Sequence, residues 1–216
     1  MLHAAIDCLL AYALGNLMGG DVVGRLRGGV NLRGVGSGNV GATNALRTQG
    51  PLFALAVLAV DIGKGLLACL VLPDLPVPDW GEPLPRQWLV CLCGVAVTLG
   101  HCYPVVSGFR GGKGVATLAG VYAAVLPMAL PWMLLGFVLV VMLSGYVSLA
   151  TLMAATIAGF YVACIDAAGA WSVSGAFTAA MGTLVLVKHR ENIARLMSGS
   201  EHRFEKLRVI GKWLDR

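Results

Sequence analysis

The sequence predicts an all-α, polytopic membrane helix bundle with seven transmembrane helices, its N-terminus outside and its C-terminus in the cytoplasm. Of its 216 residues, 57% are hydrophobic and only 12% are charged, and the mean hydropathy is +0.78. A water-soluble domain of this length needs a charged surface that eleven acidic and sixteen basic residues are too few to supply. We therefore predict one integral-membrane domain over residues 1–216.

Apolar runs provide the second observation behind this fold class. Most are close to the ~20 residues that a helix needs to cross ~30 Å of hydrocarbon. No basic segment precedes the first run and no clear small-residue cleavage site follows it, so we expect a span and not a signal peptide. The runs cover residues 2–19, 52–72, 87–106, 114–143, 150–168 and 170–187.

The fourth run, residues 114–143, is too long for one ordinary span and carries Pro127 and Pro131 near its middle. Proline in a helix interior removes a backbone hydrogen bond and breaks the helix. We therefore predict two crossings that turn at the prolines. Each half, of roughly fourteen residues, would reach only about 21 Å, so the following turn, residues 144–148, is expected to line a wet cavity.

The placement of charge is the third observation and sets the topology. Lysine and arginine concentrate in cytoplasmic loops. The loop over 20–51 is basic, whereas the loop over 73–86 is acidic, so the first is cytoplasmic and the second is outside. Eight of the sixteen basic residues follow Val187, and this tail is cytoplasmic only if the fourth run crosses twice. The charges that decide are Arg25, Arg27, Arg33 and Arg47 against Asp21, and Asp74, Asp79 and Glu82 against Arg86.

The first motif is "GSGNVGATN", residues 36–44, in the basic loop. It fits the GxGxxG pattern of dinucleotide sites, but that pattern has meaning only after a β-strand, and here a predicted membrane span precedes it, so we reject that interpretation. Backbone N–H groups free of side-chain bulk still cradle a phosphate. A merely flexible loop would need glycine alone, whereas this one adds hydrogen-bonding groups and a nearby cation. The predicted binding residues are Ser37, Gly38, Asn39, Gly41, Thr43, Asn44 and Arg47.

The second motif is "GFRGGKG", residues 108–114. It is not a P-loop, because Ser107 stands at the first glycine position and Gly114 where a magnesium-binding Ser or Thr belongs. A helix beginning near Gly114 would present a partial positive charge to an anion. Anchoring at the cytoplasmic surface explains the basic residues but not the glycines beside them. We predict a phosphate site made of Arg110, Gly111, Gly112, Lys113 and Gly114.

The third motif is the tail "KHRENIARLMSGSE", residues 188–201. Lys188, Asn192 and Arg195 share one face of a continuous helix, with His189 adjacent. A solvated helix end is the alternative, and the two phosphate loops at the same membrane face favour a site. We expect Gly199 to end the helix, after which Glu201 turns back toward a motif arginine.

Two ionisable residues lie inside the second apolar run. Asp61 and Lys64 are three residues apart and share a helical face. A neutralised structural pair and a functional pair are equally good interpretations. His101 is either a base or an interfacial histidine. No clustered carboxylates, imidazoles or thiols indicate a metal or cofactor, and no basic face with aromatics indicates nucleic acid.

Taken together, these motifs resemble those of the bacterial acyl phosphate:glycerol-3-phosphate acyltransferases, the PlsY family. "SGNVGATNALR", "GHCYPVVSGFRGGKGVAT" and "KHRENIARLMSGSE" match its three signature motifs in order, and "SGYVSLAT" matches a serine-bearing loop. The resemblance covers nearly the whole chain. The sequence departs from it at Val106, where relatives often have an aromatic residue.

The resemblance implies acyl transfer from acyl phosphate to the first hydroxyl of glycerol 3-phosphate. It implies a seven-span inner-membrane protein with a cytoplasm-facing site, without acyl-CoA or acyl-carrier protein as donor and without a cofactor. The enzyme that produces acyl phosphate becomes a candidate partner. The lipid bilayer is a further partner, and the membrane spans can provide the apolar groove that the donor's acyl chain needs.

The motif matches also imply roles for the predicted residues. The first motif would hold the acyl-phosphate phosphoryl group, and the second would bind the phosphate of glycerol 3-phosphate. The catalytic residues would be Lys113, Ser148, His189 and Asn192. The further substrate-binding candidates are Lys64, His101, Lys188, Arg195 and Glu201.

Two other function classes compete with the enzyme. A transporter of organic phosphates also suits basic loops, but transporters usually contain internal repeats with broken helices, and no motif here has a second copy. A structural scaffold leaves the three polar blocks unexplained. Turnover by purified protein in detergent, with no second compartment, separates an enzyme from a transporter.

Overall fold

The computed structural model describes residues 2–76 and 84–214. Neither range contains a strand, which agrees with the predicted all-helical class. Asp79 and Glu82, which contributed to the predicted topology, lie outside the described residues. The described helices are α1 (Leu2–Gly15), α2 (Gly19–Leu26), α3 (Ala42–Gln49), α4 (Pro51–Leu70), α5 (Arg86–Cys102), α6 (Val115–Val125), α7 (Leu130–Ser144), α8 (Val147–Cys164), α9 (Val173–Lys188), α10 (Arg190–Met197) and α11 (Val209–Leu214).

The long apolar run over 114–143 is not one helix, as its prolines predict. Helix α6 ends at Val125 and α7 begins at Leu130, with Pro127 in the interruption. Pro131 lies in the first turn of α7, where its missing N–H is tolerated. The chain also divides here into two compact units, Met1–Val125 and Leu126–Arg216.

Several helices have the length and composition to cross a membrane. Among the described residues, three qualify by length and hydropathy alone: Pro51–Asp74, Arg86–Ser107 and Val147–Cys164. The pair α1 and α2, bent by 46°, adds a fourth if it is one span, and α6, α7 and α9 are shorter apolar helices. Large apolar side chains such as Leu52, Leu135 and Phe160 are exposed, which is the pattern of a surface facing lipid.

Helix α4 is central to the first unit, where it packs against α2, α3, α5 and α6, while α1 packs mainly against α5. Small residues allow these close approaches. A Cβ at Gly15 of α1 would meet the backbone of Gly100 in α5, and one at Gly120 of α6 would meet the backbone of Ile62 in α4. Membrane helices commonly use glycine in this way.

The predicted loop over 20–51 contains two helices that periodicity did not reveal. Helices α2 and α3 have eight residues each, which is short for recognition by pattern alone. Their apolar residues join a core with α4 that includes Val23, Ala45 and Val57. The first motif is therefore held against a membrane helix and is not a free loop.

The second unit contains α7 to α11. Helix α8 packs against both α7 and α9, and α10 contacts α8 and α9. Helix α11 lies against α7. Between α7 and α8 the chain turns at Gly145, whose φ of 77° is in the left-handed region that glycine tolerates. This turn places Ser148 in the first turn of α8.

Candidate functional site

The first loop, residues 36–41, leads into the N-terminus of α3. Its organiser is Asn44, which is 2% exposed. The Asn44 Nδ2 group donates to the carbonyls of Leu32, Val35 and Asn39 at 2.9–3.1 Å, and its Oδ1 accepts from the Ser37 N–H at 2.9 Å. The side chain of Asn44 therefore forms its hydrogen bonds with the backbone of the loop itself. This corrects its predicted contact with phosphate, because its donors are used internally.

The open side of the first loop carries the groups that remain for an anion. Ser37, Gly38 and Thr43 are exposed, and Arg47 is half-buried on α3. Gly41 precedes α3 without a side-chain cap, so the helix presents backbone N–H groups and the positive end of its dipole. Asn39 Oδ1 accepts from the Gly41 N–H at 2.9 Å and tightens the turn.

The second loop, residues 108–114, leads into the N-terminus of α6. Gly108, Phe109 and Gly114 all have positive φ, which folds the loop back on the end of α5. Positive φ is unusual for a bulky residue such as Phe109 and marks a constrained turn. Arg110 is exposed and Lys113 is half-buried just before α6. This arrangement combines two cations with a helix N-terminus, as the sequence predicts.

Arg33 connects the two loops, and sequence reasoning missed it as a site residue. Its guanidinium forms an ion pair with Asp21 of α2 and donates through Nη2 to the Arg110 carbonyl at 3.3 Å. The two loops are therefore neighbours within the first unit. No spacing rule relates Arg33 to a residue 77 positions later, so only the fold reveals this contact.

Lys64 and His101 do not face the loops' open side. Lys64 is 3% exposed, and its ammonium contacts the carbonyls of Gly15 at 3.1 Å and Leu17 at 2.8 Å, Asp61 Oδ1 at 2.9 Å and His101 Nδ1 at 2.8 Å. An ammonium has three hydrogens, which these acceptors use. We therefore correct the assignment of Lys64 to substrate, and the buried His101, 2% exposed, is not an interfacial histidine.

A second polar cluster lies in the second unit and has Glu201 at its centre. Its Oε1 accepts from Ser148 Oγ at 2.9 Å and from Asn192 Nδ2 at 2.6 Å. Its Oε2 accepts from Arg195 Nε at 2.6 Å. Glu201 thus turns back onto a motif arginine, as predicted. Both Ser148 and Asn192 are buried, so the carboxylate holds two predicted catalytic side chains in place.

The turn that returns Glu201 is a Schellman motif. Gly199 has a φ of 72°, its N–H bonds to the Leu196 carbonyl, and the Ser200 N–H bonds to the Arg195 carbonyl. This confirms Gly199 as the end of the helix. Although burial alone would raise the pKa of Glu201, hydrogen bonds from Asn192, Arg195 and Ser148 hold that pKa below its ordinary value.

His189 lies at a break between α9 and α10, where the sequence predicts one continuous helix. It ends α9 with a φ of −104° and ψ of 6°, so Lys188 and Asn192 belong to different helices, which corrects the predicted shared face. His189 is 3% exposed, and its Nδ1 lies 2.8 Å from the Val185 carbonyl. A carbonyl only accepts, so Nδ1 carries the hydrogen, and in the neutral ring Nε2 carries the lone pair.

The described residues contain no group of three His, Cys, Asp or Glu side chains arranged for a metal ion. The two constellations offer a different kind of chemistry. In the first unit, backbone amides and cations suit anions such as phosphate. In the second, a carboxylate, a hydroxyl, an amide and an imidazole suit the orientation of a hydroxyl group and proton transfer.

Comparisons with known proteins agree with the motifs. A family model described as Glycerol-3-phosphate acyltransferase matches residues 5–199. A glycerol-3-phosphate acyltransferase of Aquifex aeolicus is 42% identical over 197 residues, which cover 91% of this chain and 96% of that protein. One from Geobacter sulfurreducens is 38% identical and covers 95% of this chain and 100% of that protein.

Solved structures extend the likeness to the fold. A crystal structure of PlsY, an integral membrane glycerol 3-phosphate acyltransferase, in its glycerol 3-phosphate form is 37% identical with a TM-score of 0.79, covering 96% of this chain and 98% of that one. The lysophosphatidic acid form of PlsY is 35% identical with a TM-score of 0.78 and the same coverage.

Proposed function

Because the chain belongs to the glycerol-3-phosphate acyltransferase family, we propose that it transfers a fatty acyl group from acyl phosphate to the sn-1 hydroxyl of glycerol 3-phosphate. The products are lysophosphatidic acid and inorganic phosphate. This is the first acylation in phospholipid synthesis. The pair of glycerol 3-phosphate and lysophosphatidic acid forms of the similar PlsY structure supports the same acceptor and product here.

The observation that carries the proposal is the pair of amide-rich, cation-edged loops joined by Arg33 in the first unit. Acyl phosphate and glycerol 3-phosphate each carry one phosphate, so two neighbouring anion sites match two phosphorylated substrates.

We assign the first loop to the phosphoryl group of the donor. Ser37 and Thr43 contact its oxygens, with Arg47 supplying positive charge. Gly38 and Gly41 donate their N–H groups to the Val35 carbonyl and to Asn39 Oδ1, so they serve by keeping the loop free of side-chain bulk. Asn39 and Asn44 shape the loop through the hydrogen bonds described above. An oriented donor lowers the barrier because positioning of reactants alone is worth about 7 to 11 kcal/mol in favourable cases.

We assign the second loop to the phosphate of glycerol 3-phosphate. Lys113 and Arg110 supply charge, and the amides of Gly111 and Gly114 supply donors. Gly112, whose N–H bonds to the His101 carbonyl, lets the backbone lie close to the imidazole ring. The N-terminus of α6 adds the positive end of the helix dipole. Lys113 is the residue in this loop that we place closest to the reaction.

In the reaction, the sn-1 hydroxyl oxygen attacks the acyl carbonyl carbon, an ester C–O bond forms, and the C–O bond to phosphate breaks. Phosphate is a good leaving group, so no activated serine is required. Ser148 donates its hydrogen to Glu201, which leaves its oxygen to accept from the attacking hydroxyl. Ser148, His189 and Asn192 orient that hydroxyl and stabilise the oxyanion, with Lys188 and Arg195 adding positive charge nearby.

The proton of the attacking hydroxyl has two acceptable destinations. One is Nε2 of His189, which has the lone pair that a general base requires. The other is an oxygen of the departing phosphate. His101 does not qualify, because it is buried beneath the second loop and its Nδ1 contacts Lys64.

We also propose the membrane arrangement of a seven-span inner-membrane enzyme. The bent pair of α1 and α2, three long helices and three shorter apolar helices make seven apolar segments within the described residues. By the positive-inside rule, the N-terminus is then outside. The C-terminus and the polar motifs are on the cytoplasmic side. The enzyme that makes acyl phosphate is the expected partner, since the donor must reach a site at that membrane surface.

Radiolabelled glycerol 3-phosphate separates the donors directly. Purified protein in detergent is incubated with it and either palmitoyl phosphate or palmitoyl-CoA. We expect labelled lysophosphatidic acid with palmitoyl phosphate alone. Product from palmitoyl-CoA alone contradicts the donor assignment, and no product from either donor contradicts the acyl transfer itself. Turnover in detergent also excludes pure transport, since no second compartment is present.

A further inference from the structure

The starting observation is a buried ion pair in α4 that the proposed reaction does not use. Asp61 is 1% exposed and Lys64 is 3% exposed, and their charged atoms lie 2.9 Å apart. Removing two charges from water costs several kcal/mol each, and an apolar pair of similar volume is often as stable. A contribution to stability alone therefore does not explain why a membrane helix carries these charges.

The ion pair is tied to the backbone around it on one side. The Asp61 Oδ1 atom accepts from the Gly19 N–H at 3.0 Å, and Lys64 donates to the carbonyls of Gly15 and Leu17. These bonds satisfy the polar groups exposed by the bend between α1 and α2. They also fix the Lys64 ammonium in one place, so that its remaining hydrogen points toward Asp61 and His101.

On the other side the pair determines the state of His101. The Nδ1 atom of His101 lies 2.8 Å from Lys64 Nζ, 3.2 Å from Thr117 Oγ1 and 3.4 Å from Asp61 Oδ1. The ammonium is the nearest of the three and can only donate, so we assign the lone pair of the neutral ring to Nδ1. The hydrogen of the neutral ring is then on Nε2. Lys64 therefore fixes the imidazole tautomer in the way that a neighbouring hydrogen bond selects one in other sites.

The Nε2 edge of His101 faces the second loop. A Cβ at Gly112 would overlap Nε2, and one at Gly111 would overlap the His101 carbonyl. The Gly112 N–H also donates to that carbonyl at 3.0 Å. The two glycines thus rest directly on His101, and Lys113 follows them in the chain. The loop therefore packs directly against the imidazole ring.

We propose that Asp61, Lys64 and His101 are positioning residues for glycerol 3-phosphate. The ion pair holds His101 in one tautomer and orientation. The ring in turn fixes the position of Gly112, and hence the direction of the loop amides and of Lys113. None of the three touches substrate. The proposal rests on the assignment of the second loop to glycerol 3-phosphate.

The test compares stability with the affinity for each substrate in the purified full-length protein. Asp61→Asn and Lys64→Met each leave one buried charge unpaired, whereas the double variant carries neither. We expect the double variant to unfold closer to the wild-type temperature than either single variant. Its Kd for glycerol 3-phosphate, measured by calorimetry, should still rise about 10- to 100-fold, the equivalent of one lost charge-assisted hydrogen bond. Its KM for acyl phosphate should stay within about twofold of wild type.

A double variant that binds glycerol 3-phosphate like wild type overturns the proposal, since the pair would then be structural alone. Equal losses for both substrates also overturn it. Gly112→Ala tests the same step without changing the ion pair, because its methyl group displaces the loop from the His101 ring. We expect the same selective loss from it, and unchanged binding contradicts the proposal.

Two matched controls complete the experiment. Gly34→Ala adds a methyl group where no atom lies within 4 Å, and Asp7→Asn neutralises another buried carboxylate of the first unit. Both should keep the wild-type Kd. If the wild type itself does not bind glycerol 3-phosphate, the proposed function is wrong. If the wild type binds and the variants bind equally well, only the positioning proposal is wrong.

Discussion

Glu201 shows how one residue can organise a polar cluster from outside the apolar helices. It accepts hydrogen bonds from Ser148 in α8 and from Asn192 and Arg195 in α10. Both oxygens of a carboxylate accept hydrogen bonds, whereas a glutamine of the same size has one accepting oxygen and one donating NH2 group. Glu201 therefore joins two helices and fixes the orientation of two proposed catalytic side chains.

Glu201→Gln tests this function through pH. The lowered pKa of Glu201 means that the folded state favours the ionised carboxylate. Its stabilising contribution is present above the ordinary pKa of 4.5 and is lost as the pH falls through the lower folded value. We expect Glu201→Gln to lower the unfolding temperature at pH 7 and the difference from wild type to shrink on acidification below 4.5. A difference that stays constant down to pH ~3 contradicts this assignment.

His189→Gln distinguishes the two destinations of the substrate proton. If Nε2 of His189 is the general base, the variant should lose at least about 100-fold in kcat at saturating substrates. Steady-state rates of lysophosphatidic acid formation measure this loss. A loss below about tenfold removes His189 as an essential base and favours the phosphate oxygen. His202→Gln is the matched control, since the exposed His202 lies outside the proposed site.

At the scale of elements, the polar motifs occupy helix ends. Two loops precede the N-termini of α3 and α6, and His189 ends α9. Helix ends carry unpaired backbone groups and partial charge, so a membrane protein can bind anions there with few charged side chains. The short helices α2 and α3 serve this purpose by holding the first loop against α4.

Asn44→Ala tests the organisation of the first loop. The variant loses the donors to three carbonyls and the acceptor for the Ser37 N–H. We expect a loss of about 1 to 3 kcal/mol in the free energy of unfolding and a higher KM for acyl phosphate. Gln49→Ala removes an exposed amide from the same helix and should change stability by less than about 0.5 kcal/mol. Equal effects of the two variants would falsify the assignment of Asn44 as organiser.

The C-terminal segment is the second element with a testable function. Arg203 Nε donates to the Ser144 carbonyl at 2.9 Å, Arg208 Nε to the Leu143 carbonyl at 3.3 Å, and the Phe204 N–H to the Gly145 carbonyl at 2.9 Å. These three carbonyls end α7 and form the turn before Ser148. The segment therefore caps α7 and holds that turn.

Hydrogen exchange can detect this capping. We expect the double variant Arg203→Met with Arg208→Met to exchange faster at residues 143–148, because the helix end loses two side-chain donors. Its kcat should fall, since Ser148 follows the turn directly. The control is the double variant Lys206→Met with Lys212→Met, which removes the same charge from two exposed positions of the segment. It should leave the exchange at residues 143–148 unchanged. Similar exchange in both double variants contradicts the capping role.

At the scale of the whole molecule, both units have apolar side chains on the outside and polar side chains buried inside. Exposed apolar residues such as Leu55 and Leu134 cover the helices, whereas buried polar residues such as Asp61 and Asn192 lie inside each unit. Lipid makes an apolar exterior favourable, and polar groups then need partners within the protein.

An odd number of crossings predicts termini on opposite sides of the membrane. With a small protease-sensitive tag at each end, protease added to intact spheroplasts should digest the N-terminal tag and spare the C-terminal one. Inverted membrane vesicles should give the opposite result. Detergent-opened membranes, in which both tags are digested, are the control. Protection of both tags in the same preparation contradicts seven spans.

The sequence alone was sufficient for the features that depend on local chemistry. Composition predicts the membrane class, prolines predict the break between α6 and α7, and glycine predicts irregular loops before α3 and α6. Anion binding by these loops stays a prediction. The three motifs lead to the family that the comparisons confirm. Each of these inferences uses residues close together in the chain, where spacing and side-chain type already constrain the backbone.

Only the tertiary structure decided which polar residues face one another. Spacing left Asp61 and Lys64 undecided between a structural and a functional pair, and packing of α4 against α5 places them under His101 and the second loop. Arg33 contacts Arg110, and Asn44 turns inward, for the same reason. Such contacts depend on close approach between helices distant in sequence, and no local pattern encodes the direction in which a buried side chain finds its partner.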